Sequence, residues 1–283
     1  MSRRLSSSAV FVGTTPNIGT TTAAFATALR MAEAGGISVG FLCLHLKSAK
    51  LHRFLGVDKP PATLDQLKPE LHSASLSPEL LGRAMLSLPG QTNLHILFGS
   101  LNREQAEYYQ PLEISHLIEV AKRTFDFVVL DVGAYWDNAA TVCAIREAET
   151  RIVVTTPALS HFQEDGKRWI GQVSPLFEID SNQYDCVVVH GAWGGEGYSM
   201  KQICKELGVK PLGQLQLNSA LYSCYDRGQF QEWLCRDGEG KKAMIKPARE
   251  LLKRHGLQRS FSPMQNQPWF RKLTKLRGGV DSV

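Results

Sequence analysis

The first forty residues constrain the fold more than any other part of the sequence. Residues 9–12 (AVFV) form an apolar run of strand length, and the turn-forming segment GTTPNIGTTT follows it directly. The next segment, AAFATALRMAEAGG, is rich in strong helix formers and ends in two glycines, which is typical of a helix and its stop signal. The order strand, glycine loop, helix is the first half of a βαβ unit, so it predicts an α/β fold.

The same alternation continues along the chain. Six further apolar runs predict strands: ISVGFLCLHL, NLHILFG, FDFVVLDVG, RIVVTTP, DCVVVHG and LGQLQL. Helical patterns lie between several of them, including TLDQL, SPELLGRAML and SHLIEVAKRT. We therefore expect a mostly parallel sheet of about seven strands with helices on both faces.

Composition and charge divide the chain into a body and a tail. The 283 residues, 43% of them hydrophobic and 21% charged, suffice for one large globular domain and exclude a disordered or collagen-like chain. From Lys241 onward, 11 basic residues stand against two acidic ones, so the end of the chain is basic. QRSFSPMQNQP is typical of a linker. We expect one domain over 1–257, and a linker with a basic tail over 258–283.

Cysteine usage and hydropathy indicate the compartment. No apolar run approaches the roughly 20 residues that a membrane-spanning helix needs, and the run after Arg3 and Arg4 is too short for a signal peptide. The six cysteines contain no CxxC pair: Cys43, Cys143, Cys186, Cys204, Cys224 and Cys235. We expect reduced thiols in a cytoplasmic protein.

The loop from Gly13 to Thr22 lies where α/β sheets bind their ligands, beyond the carboxyl end of a strand. A Walker A loop reads GxxxxGK[ST]; Gly19 and Thr21 match this pattern, but Thr20 stands in place of the phosphate-binding lysine. Two interpretations stay open. The backbone amides of residues 16–21 cradle a phosphate, or the segment is only a tight turn whose threonine hydroxyls cap the helix.

This loop resembles that of the MinD/ParA class of P-loop ATPases, whose deviant pattern KGGxGK[ST]T carries an extra signature lysine. Thr15 and Thr20 stand at the two lysine positions, and Thr21 stands at the Mg²⁺-binding hydroxyl. The resemblance implies a P-loop NTPase-like fold and an ATP or ADP site with Mg²⁺. Its candidate nucleotide-binding residues are Gly13, Thr15, Pro16, Asn17, Ile18, Gly19, Thr20, Thr21 and Thr22.

Two later segments extend the resemblance. FDFVVLDVGAYWDNAA is similar to the Walker B and switch segment of the class, which implies that Asp131 joins Thr21 at the metal. Asp137, a turn further on, is expected to be a solvated helix cap. VVVHGAW replaces a segment whose asparagine reads adenine, so His190 or Gly191 stands where that contact belongs.

The second predicted strand resembles one branch of the class. FLCLHLKSAKLHRFLGV is similar to LLVDLDxxxGDxxxxLGL of the TadZ/CpaE-like proteins, which localise type IVb (Flp/Tad) pilus machinery. Cys43 and His45 replace two of its aspartates, and Lys50 replaces the third. The resemblance covers residues 8–235 and implies a homodimer with protein partners in a pilus or secretion apparatus.

These replacements predict a degenerate active site without catalytic residues. Loss of one positioned charge stabiliser typically lowers a rate on the order of 100- to 1000-fold, and here both lysines are missing. Lys47 or Lys50 is left to supply charge from the neighbouring strand end. We expect a localisation or scaffold factor. The alternative is an active nucleotide-switched ATPase of a membrane-site or DNA-partition type; a capsule-type tyrosine kinase is disfavoured because no tyrosine follows Tyr225.

Other side chains have an ordinary and a functional interpretation. His45, His52 and His190 are candidates to ring a site, yet their spacing matches no metal motif. The tryptophans are expected in the core or at an interface rather than in a base-stacking platform: Trp136, Trp169, Trp193 and Trp233.

The tail predicts a short basic amphipathic helix. Trp269, Phe270, Leu273 and Leu276 recur at helical spacing, and Arg271, Lys272 and Lys275 lie on the other face. Such a helix binds the surface of an anionic membrane, at the inner face of the cell membrane. The alternative is a disordered, solubilising or partner-binding tail. Nucleic-acid binding is disfavoured because aromatic residues accompany the basic ones only at Trp269 and Phe270.

Overall fold

The computed structural model describes residues 6–34, 36–47, 49–191 and 197–257. Its core is one eight-stranded sheet in the order β3-β4-β2-β5-β1-β6-β7-β8. The strands are β1 Ser7–Gly13, β2 Val39–Cys43, β3 Leu86–Leu88, β4 Gln91–Leu97, β5 Phe127–Val132, β6 Thr150–Thr155, β7 Tyr184–His190 and β8 Lys210–Gln216. All neighbouring pairs are parallel except β3 with β4, so the predicted mostly parallel α/β sheet is confirmed.

The eighth strand, β3, differs from the prediction, which extended a helix over SPELLGRAML. The helix that begins at Pro78 ends at Ala84, because Met85 takes an extended conformation. Gly90, with a φ of 74°, then turns the chain back so that β3 pairs antiparallel with β4 at the edge of the sheet. Pairing across the turn therefore overrides the local helical pattern.

Helices cover both faces of the sheet, as predicted. They are α1 Thr20–Glu33, α2 Leu51–Phe54, α3 Leu64–His72, α4 Pro78–Ala84, α5 Pro111–Thr124, α6 Ala139–Glu147, α7 Met200–Leu207, α8 Ser219–Asp226, α9 Phe230–Arg236, α10 Gly238–Lys242 and α11 Ile245–Arg254. A π-helical segment, Ser160–Val173, and three 3₁₀ segments, Arg103–Tyr108, Ser174–Phe177 and Ser181–Gln183, complete the described elements.

The central strand β1 shows how the core is divided. Val10 and Val12 belong to a buried cluster that includes residues of α3 to α7, whereas Ala9 and Phe11 belong to a second cluster formed with α1, α8, α9 and α11. Successive strand side chains point to opposite faces, so each face of the sheet builds its own apolar layer. This two-sided burial fixes the carboxyl ends of the central strands, where the candidate site lies.

The described part of the chain contains no helix long and apolar enough to cross a membrane. All six cysteines are free thiols, and four of them are buried. The predicted tail, with Trp269, Phe270, Leu273, Leu276 and its basic residues, lies outside the described residues, as does Trp193. The proposed division at residue 258 therefore remains a prediction from the sequence.

Candidate functional site

A cavity of about 480 Å³ opens at the carboxyl ends of β1, β2 and β5. Its walls are the loop after β1, the segments that follow β2 and β5, and parts of helices α2 and α8. The parallel register brings Cys43 of β2 beside Asp131 of β5, and Phe11 of β1 beside the same aspartate. Loops that are distant in the sequence therefore meet at one edge of the sheet.

The loop between β1 and α1 turns sharply and leaves most of its amides without partners among the described residues, although the amide of Thr14 donates to Val154. Asn17 and Gly19 both have left-handed backbone conformations, with φ of 61° and 96°. Gly19 is the N-cap of α1, and it has no side chain to accept the first amides of the helix. Within the described residues, the amides of residues 17–22 donate no hydrogen bond. Such a run of free N–H groups at a helix N-terminus favours an anion.

The alternative interpretation, a turn capped by threonine hydroxyls, does not match this geometry. The capping position belongs to Gly19, and the three following threonines lie inside the helix. The side chain of Thr20 packs against Gly13 at the end of β1: a Cβ added to Gly13 would lie 2.6 Å from Oγ1 of Thr20. The hydroxyl of Thr22 instead shares a short hydrogen bond with the hydroxyl of Tyr225. The loop keeps its cradle shape without using its threonines as caps.

Most of the predicted nucleotide-binding residues line the cavity together: Thr15, Pro16, Asn17, Gly19, Thr20, Thr21 and Thr22. Two of the nine do not. Gly13 ends β1 beneath the loop, and Ile18 is buried in the apolar layer beside α1, where it anchors the loop. Ile18 is therefore a packing residue rather than a contact to a ligand.

Thr21, His45 and Asp131 converge at the bottom of the cavity. Nε2 of His45 lies 3.3 Å from Oδ2 of Asp131 and 3.5 Å from Oγ1 of Thr21. Asp131 is fully buried, and neither of its carboxylate oxygens accepts a hydrogen bond from the residues that the structure describes. Burial lowers the pKa of His45, but the carboxylate of Asp131 outweighs burial and raises it above the ordinary value.

This arrangement is not that of a nucleophilic triad. In a triad, one ring nitrogen of the histidine takes the proton of the hydroxyl while the other donates to the carboxylate. Here both Thr21 and Asp131 face the same nitrogen, Nε2. Nε2 of His45 therefore contacts both groups, and the ring is not placed to relay a proton from Thr21 to Asp131.

The residues present do not fit a Mg²⁺ ion at this place. Thr21 and Asp131 do converge as the resemblance implies, but the imidazole of His45 lies between them. Burial, and then the charge of Asp131, raise the pKa of the Cys43 thiol, so Cys43 supplies no anionic ligand in place of an aspartate. The described residues contain no group of three or more His, Cys, Asp or Glu side chains that would hold a metal ion.

The cations at the cavity come from outside the loop. Nζ of Lys47 donates a hydrogen bond of 2.8 Å to Asp137, and this bond is the main cause that lowers the pKa of Asp137. Asp137 is thus not a helix cap as expected; Asn138 caps α6 by accepting from the amide of Thr141. Lys50 and Arg103 are exposed and line the cavity. Arg103 has no motif that marks it in the sequence.

An aromatic wall closes the side of the cavity near α2 and α8. The rings of Phe54 and Tyr225 stack with their centroids 4.0 Å apart. The two rings come together because the backbones that follow α2 and α8 are in close contact at Gly56 and Gly228. A Cβ added to Gly56 would lie 2.8 Å from the carbonyl oxygen of Gly228. Burial raises the pKa of Tyr225, so its hydroxyl stays protonated. Sequence reasoning missed this wall; its signal is the spacing of Tyr222 and Tyr225 on one helix face.

The three histidines do not ring one site. His52 lies on α2 outside the walls of the cavity, and it lines a neighbouring groove. His190 ends β7, and its Nε2 is buried with no hydrogen-bond partner among the described residues. The tryptophans behave as predicted where they are described: Trp136 is buried and stacks on Trp169, and Trp233 is buried.

Comparison with known proteins gives the fold a name. No protein-family model matches the chain, and no curated protein is a significant relative. Among solved structures, a ParA family ATPase from Chlorobium tepidum TLS has a TM-score of 0.71 at 19% identity, over 87% of this chain and 99% of that chain. At this identity the likeness shows the fold, which is that of a P-loop ATPase of the MinD/ParA type.

Two further similar structures were solved with a bound nucleotide or with a partner protein. The septum site-determining protein MinD from Pyrococcus horikoshii OT3, solved with Mg-ADP, has a TM-score of 0.70 at 19% identity, over 90% of this chain and 99% of that chain. The MinC:MinD cell division complex of Aquifex aeolicus has a TM-score of 0.70 at 17% identity, over 88% and 96%. The predicted P-loop NTPase-like α/β fold is therefore confirmed.

Proposed function

We propose that this chain is a catalytically degenerate protein of the MinD/ParA fold that binds the phosphates of a nucleotide without hydrolysing it. The observation that carries the proposal is the loop of residues 15–22. Its free amides face a cavity, while threonines stand at both lysine positions. The loop thus keeps the backbone amides that bind an anion, but it lacks the two lysines whose charge would stabilise phosphoryl transfer.

Binding is supported by three sources of positive potential. The unpaired amides of the loop provide hydrogen bonds, and α1, 14 residues long, directs the positive end of its dipole at the cavity. Lys50 and Arg103 add full charges from the rim. The ligand class is a nucleoside di- or triphosphate, ADP or ATP. The similarity to the Mg-ADP structure of Pyrococcus horikoshii MinD supports this choice.

Loss of catalysis follows from what phosphoryl transfer requires. The transferring group needs positioned cations around its oxygens, and each missing stabiliser lowers the rate on the order of 100- to 1000-fold. Thr15 and Thr20 supply none of that charge, and Lys47 is already bonded to Asp137. Turnover at the level of the uncatalysed reaction is expected.

The biological role that we propose is a localisation or scaffold factor. The segment FLCLHLKSAKLHRFLGV supports a TadZ/CpaE-like role in a pilus or secretion apparatus, because it is similar to the pattern of that branch apart from its three replaced aspartates. The protein would work in the cytoplasm as a homodimer that contacts protein partners. Its tail would add contact with an anionic membrane surface.

The experiment combines binding with turnover. ATP and ADP are titrated into the full chain by calorimetry, and phosphate release is followed for the wild type and for Thr15→Lys/Thr20→Lys. The wild type is expected to bind but not to release phosphate above background. The double variant is expected to bind about tenfold more tightly, because each lysine adds a charged hydrogen bond. Wild-type turnover that Asp131→Asn abolishes would contradict the degenerate assignment.

An active nucleotide-switched ATPase is the second candidate, because two exposed cations, Lys50 and Arg103, line the cavity. In that case they would take over the roles of the missing lysines. Lys50→Met or Arg103→Met would then abolish turnover as well as weaken binding. In the degenerate protein the same variants weaken binding alone.

A further inference from the structure

The carboxylate of Asp131 is buried beside the imidazole of His45. Asp131 has no exposed surface, and neither oxygen accepts a hydrogen bond within the described residues. An unpaired charge in such a place is strongly unfavourable. Among the described residues, Nε2 of His45 lies 3.3 Å from Oδ2 of Asp131 and supplies a counter-charge when the imidazole is protonated.

Neighbouring groups do not share this task. Cys43, the last residue of β2, is kept protonated by burial, and Lys47 is turned toward Asp137 at 2.8 Å. The hydroxyl of Thr21 is 3.5 Å from the same nitrogen, Nε2 of His45. Thr21 and Asp131 are the two positions that the resemblance assigns to a Mg²⁺ site, so the imidazole occupies the space between them.

We propose that His45 fills the position of the divalent cation, so that a phosphate anion binds to this loop without Mg²⁺. This inference rests on the proposed nucleotide binding and adds its metal requirement. It follows from the space that the imidazole takes beside Thr21 and Asp131. Mg²⁺ binds oxygen ligands at about 2.0–2.1 Å and prefers an octahedral shell, and that shell has no room while Nε2 lies beside both oxygens.

Restoring the carboxylate should restore the metal site. His45→Asp removes the imidazole and places an acid where the TadZ/CpaE-like pattern has one. His45→Asn is the matched neutral variant. His52→Asp makes the same change of charge on α2, outside the walls of the cavity, and controls for the net charge of the protein.

The first measurement uses metal alone. Mn²⁺ is titrated into the full-length proteins and followed by electron paramagnetic resonance, without nucleotide. We expect no Mn²⁺ site in the wild type or in His52→Asp, and one site in His45→Asp. Wild-type binding of Mn²⁺ that Asp131→Asn removes would overturn the inference, because His45 would then share the site with a metal. Absence of a site in a folded His45→Asp, checked by circular dichroism, would overturn it too.

The second measurement uses ATP as the probe, in EDTA and in excess Mg²⁺. Wild-type affinity for ATP is expected to change by less than about twofold between the two conditions, since His45 takes the place of the metal ion. The affinity of His45→Asp in EDTA should fall by about tenfold or more, and Mg²⁺ should restore it. Wild-type ATP binding only in Mg²⁺ would overturn the inference while leaving the proposed function intact. No ATP binding in either condition would overturn the proposed function, and the Mn²⁺ titration would still decide the role of His45.

Discussion

Nζ of Lys47 lies 2.8 Å from Oδ2 of Asp137, and this ion pair joins the end of β2 to the segment before α6. The pair spans 90 residues of sequence at the mouth of the cavity. Because Lys47 is bonded to Asp137, its ammonium is not free to contact a phosphate at the loop. The charge of the site is thus limited by a contact within the protein.

Releasing Lys47 should strengthen anion binding. Asp137→Asn keeps the shape of the side chain but removes its charge, so Lys47 is free to turn to the cavity. We expect ATP affinity to rise about fivefold, since one such charge contributes about 1 kcal/mol at a solvated site. In Lys47→Met/Asp137→Asn the gain should disappear. Equal affinities of Asp137→Asn and the double variant would contradict this role, and calorimetry measures both.

The conformation of Gly19 should be indispensable to the loop. Its φ is 96°, and a Cβ there would lie 3.2 Å from both Val189 and Leu217. We expect Gly19→Ala to lower the free energy of unfolding by about 1–3 kcal/mol and to abolish ATP binding. Asn17→Gly is the matched control, because glycine accepts the left-handed conformation of Asn17 at no cost. Urea denaturation and calorimetry test both variants; an Ala variant as stable as wild type would contradict the strain argument.

The hydroxyl of Tyr225 should stabilise the protein through Thr22. Both side chains share one hydrogen bond, and the ring of Tyr225 packs on Phe54. We expect Tyr225→Phe to cost about 1 kcal/mol, and Tyr225→Ala to cost about 3–5 kcal/mol because it also removes the stacking. In a Thr22→Val background, Tyr225→Phe should cost clearly less. The same cost in both backgrounds, measured by urea denaturation, would show that the bond contributes nothing.

Glu149 should make stability dependent on pH. It accepts from the amide and hydroxyl of Ser8 and pairs with Lys122, whose side chain is only 8% exposed. Burial raises the pKa of Glu149, but the bonds from Lys122 and Ser8 outweigh burial, and the net pKa is lowered. Its contribution is therefore present above the unfolded-state value of 4.5 and is lost as the pH falls through the lower folded value.

Glu149→Gln tests this linkage. At neutral pH we expect a loss of about 1–3 kcal/mol, because the buried ammonium of Lys122 loses its carboxylate partner and keeps only its hydrogen bond to the carbonyl oxygen of Glu147. Below pH 4.5 the difference from wild type should shrink as the glutamate is protonated. Glu119→Gln, which breaks an exposed ion pair with Arg123, should change stability by less than about 0.5 kcal/mol. A difference between Glu149→Gln and wild type that is independent of pH would contradict the assignment.

The tail should bind anionic membranes. Trp269, Phe270, Leu273 and Leu276 supply the apolar face, and each basic residue adds about 1 kcal/mol near an anionic surface. We expect the full chain to sediment with vesicles that contain phosphatidylserine, and the chain truncated after residue 257 to stay in solution. Binding should weaken as salt is raised. Equal sedimentation of the truncated chain would reject a membrane role for the tail.

Local patterns were sufficient for the strands and for the phosphate loop. The order strand, glycine loop, α1 is encoded within some 25 neighbouring residues, because apolar periodicity and left-handed turn positions act locally. The resemblance to the MinD/ParA class implied that Thr21 and Asp131 meet, and the structure brings both close to Nε2 of His45. By contrast, the three-residue strand β3 depends on pairing with β4, and its own sequence favours a helix.

Long-range contacts account for what the sequence did not predict. Tyr225 reaches the cavity only because two glycines, Gly56 and Gly228, allow α2 and the end of α8 to approach closely. The spacing of Tyr222 and Tyr225 shows that they share a helix face, but it does not show which part of the protein that face contacts. Likewise, no local pattern shows that Asp137 bonds to Lys47 rather than capping α6. Such pairings arise from packing between elements that are distant in the sequence, and the periodicity of apolar residues does not predict them.

The most direct test of the account is one calorimetric titration of ATP into the full-length wild-type protein in EDTA. The account predicts saturable binding at one site per chain, with no continuing heat after saturation, because the nucleotide is bound and not hydrolysed. Two results would contradict it. No binding at millimolar ATP, with Mg²⁺ added as well, would mean that the loop is empty, and steady heat release that requires Mg²⁺ would reveal an active ATPase.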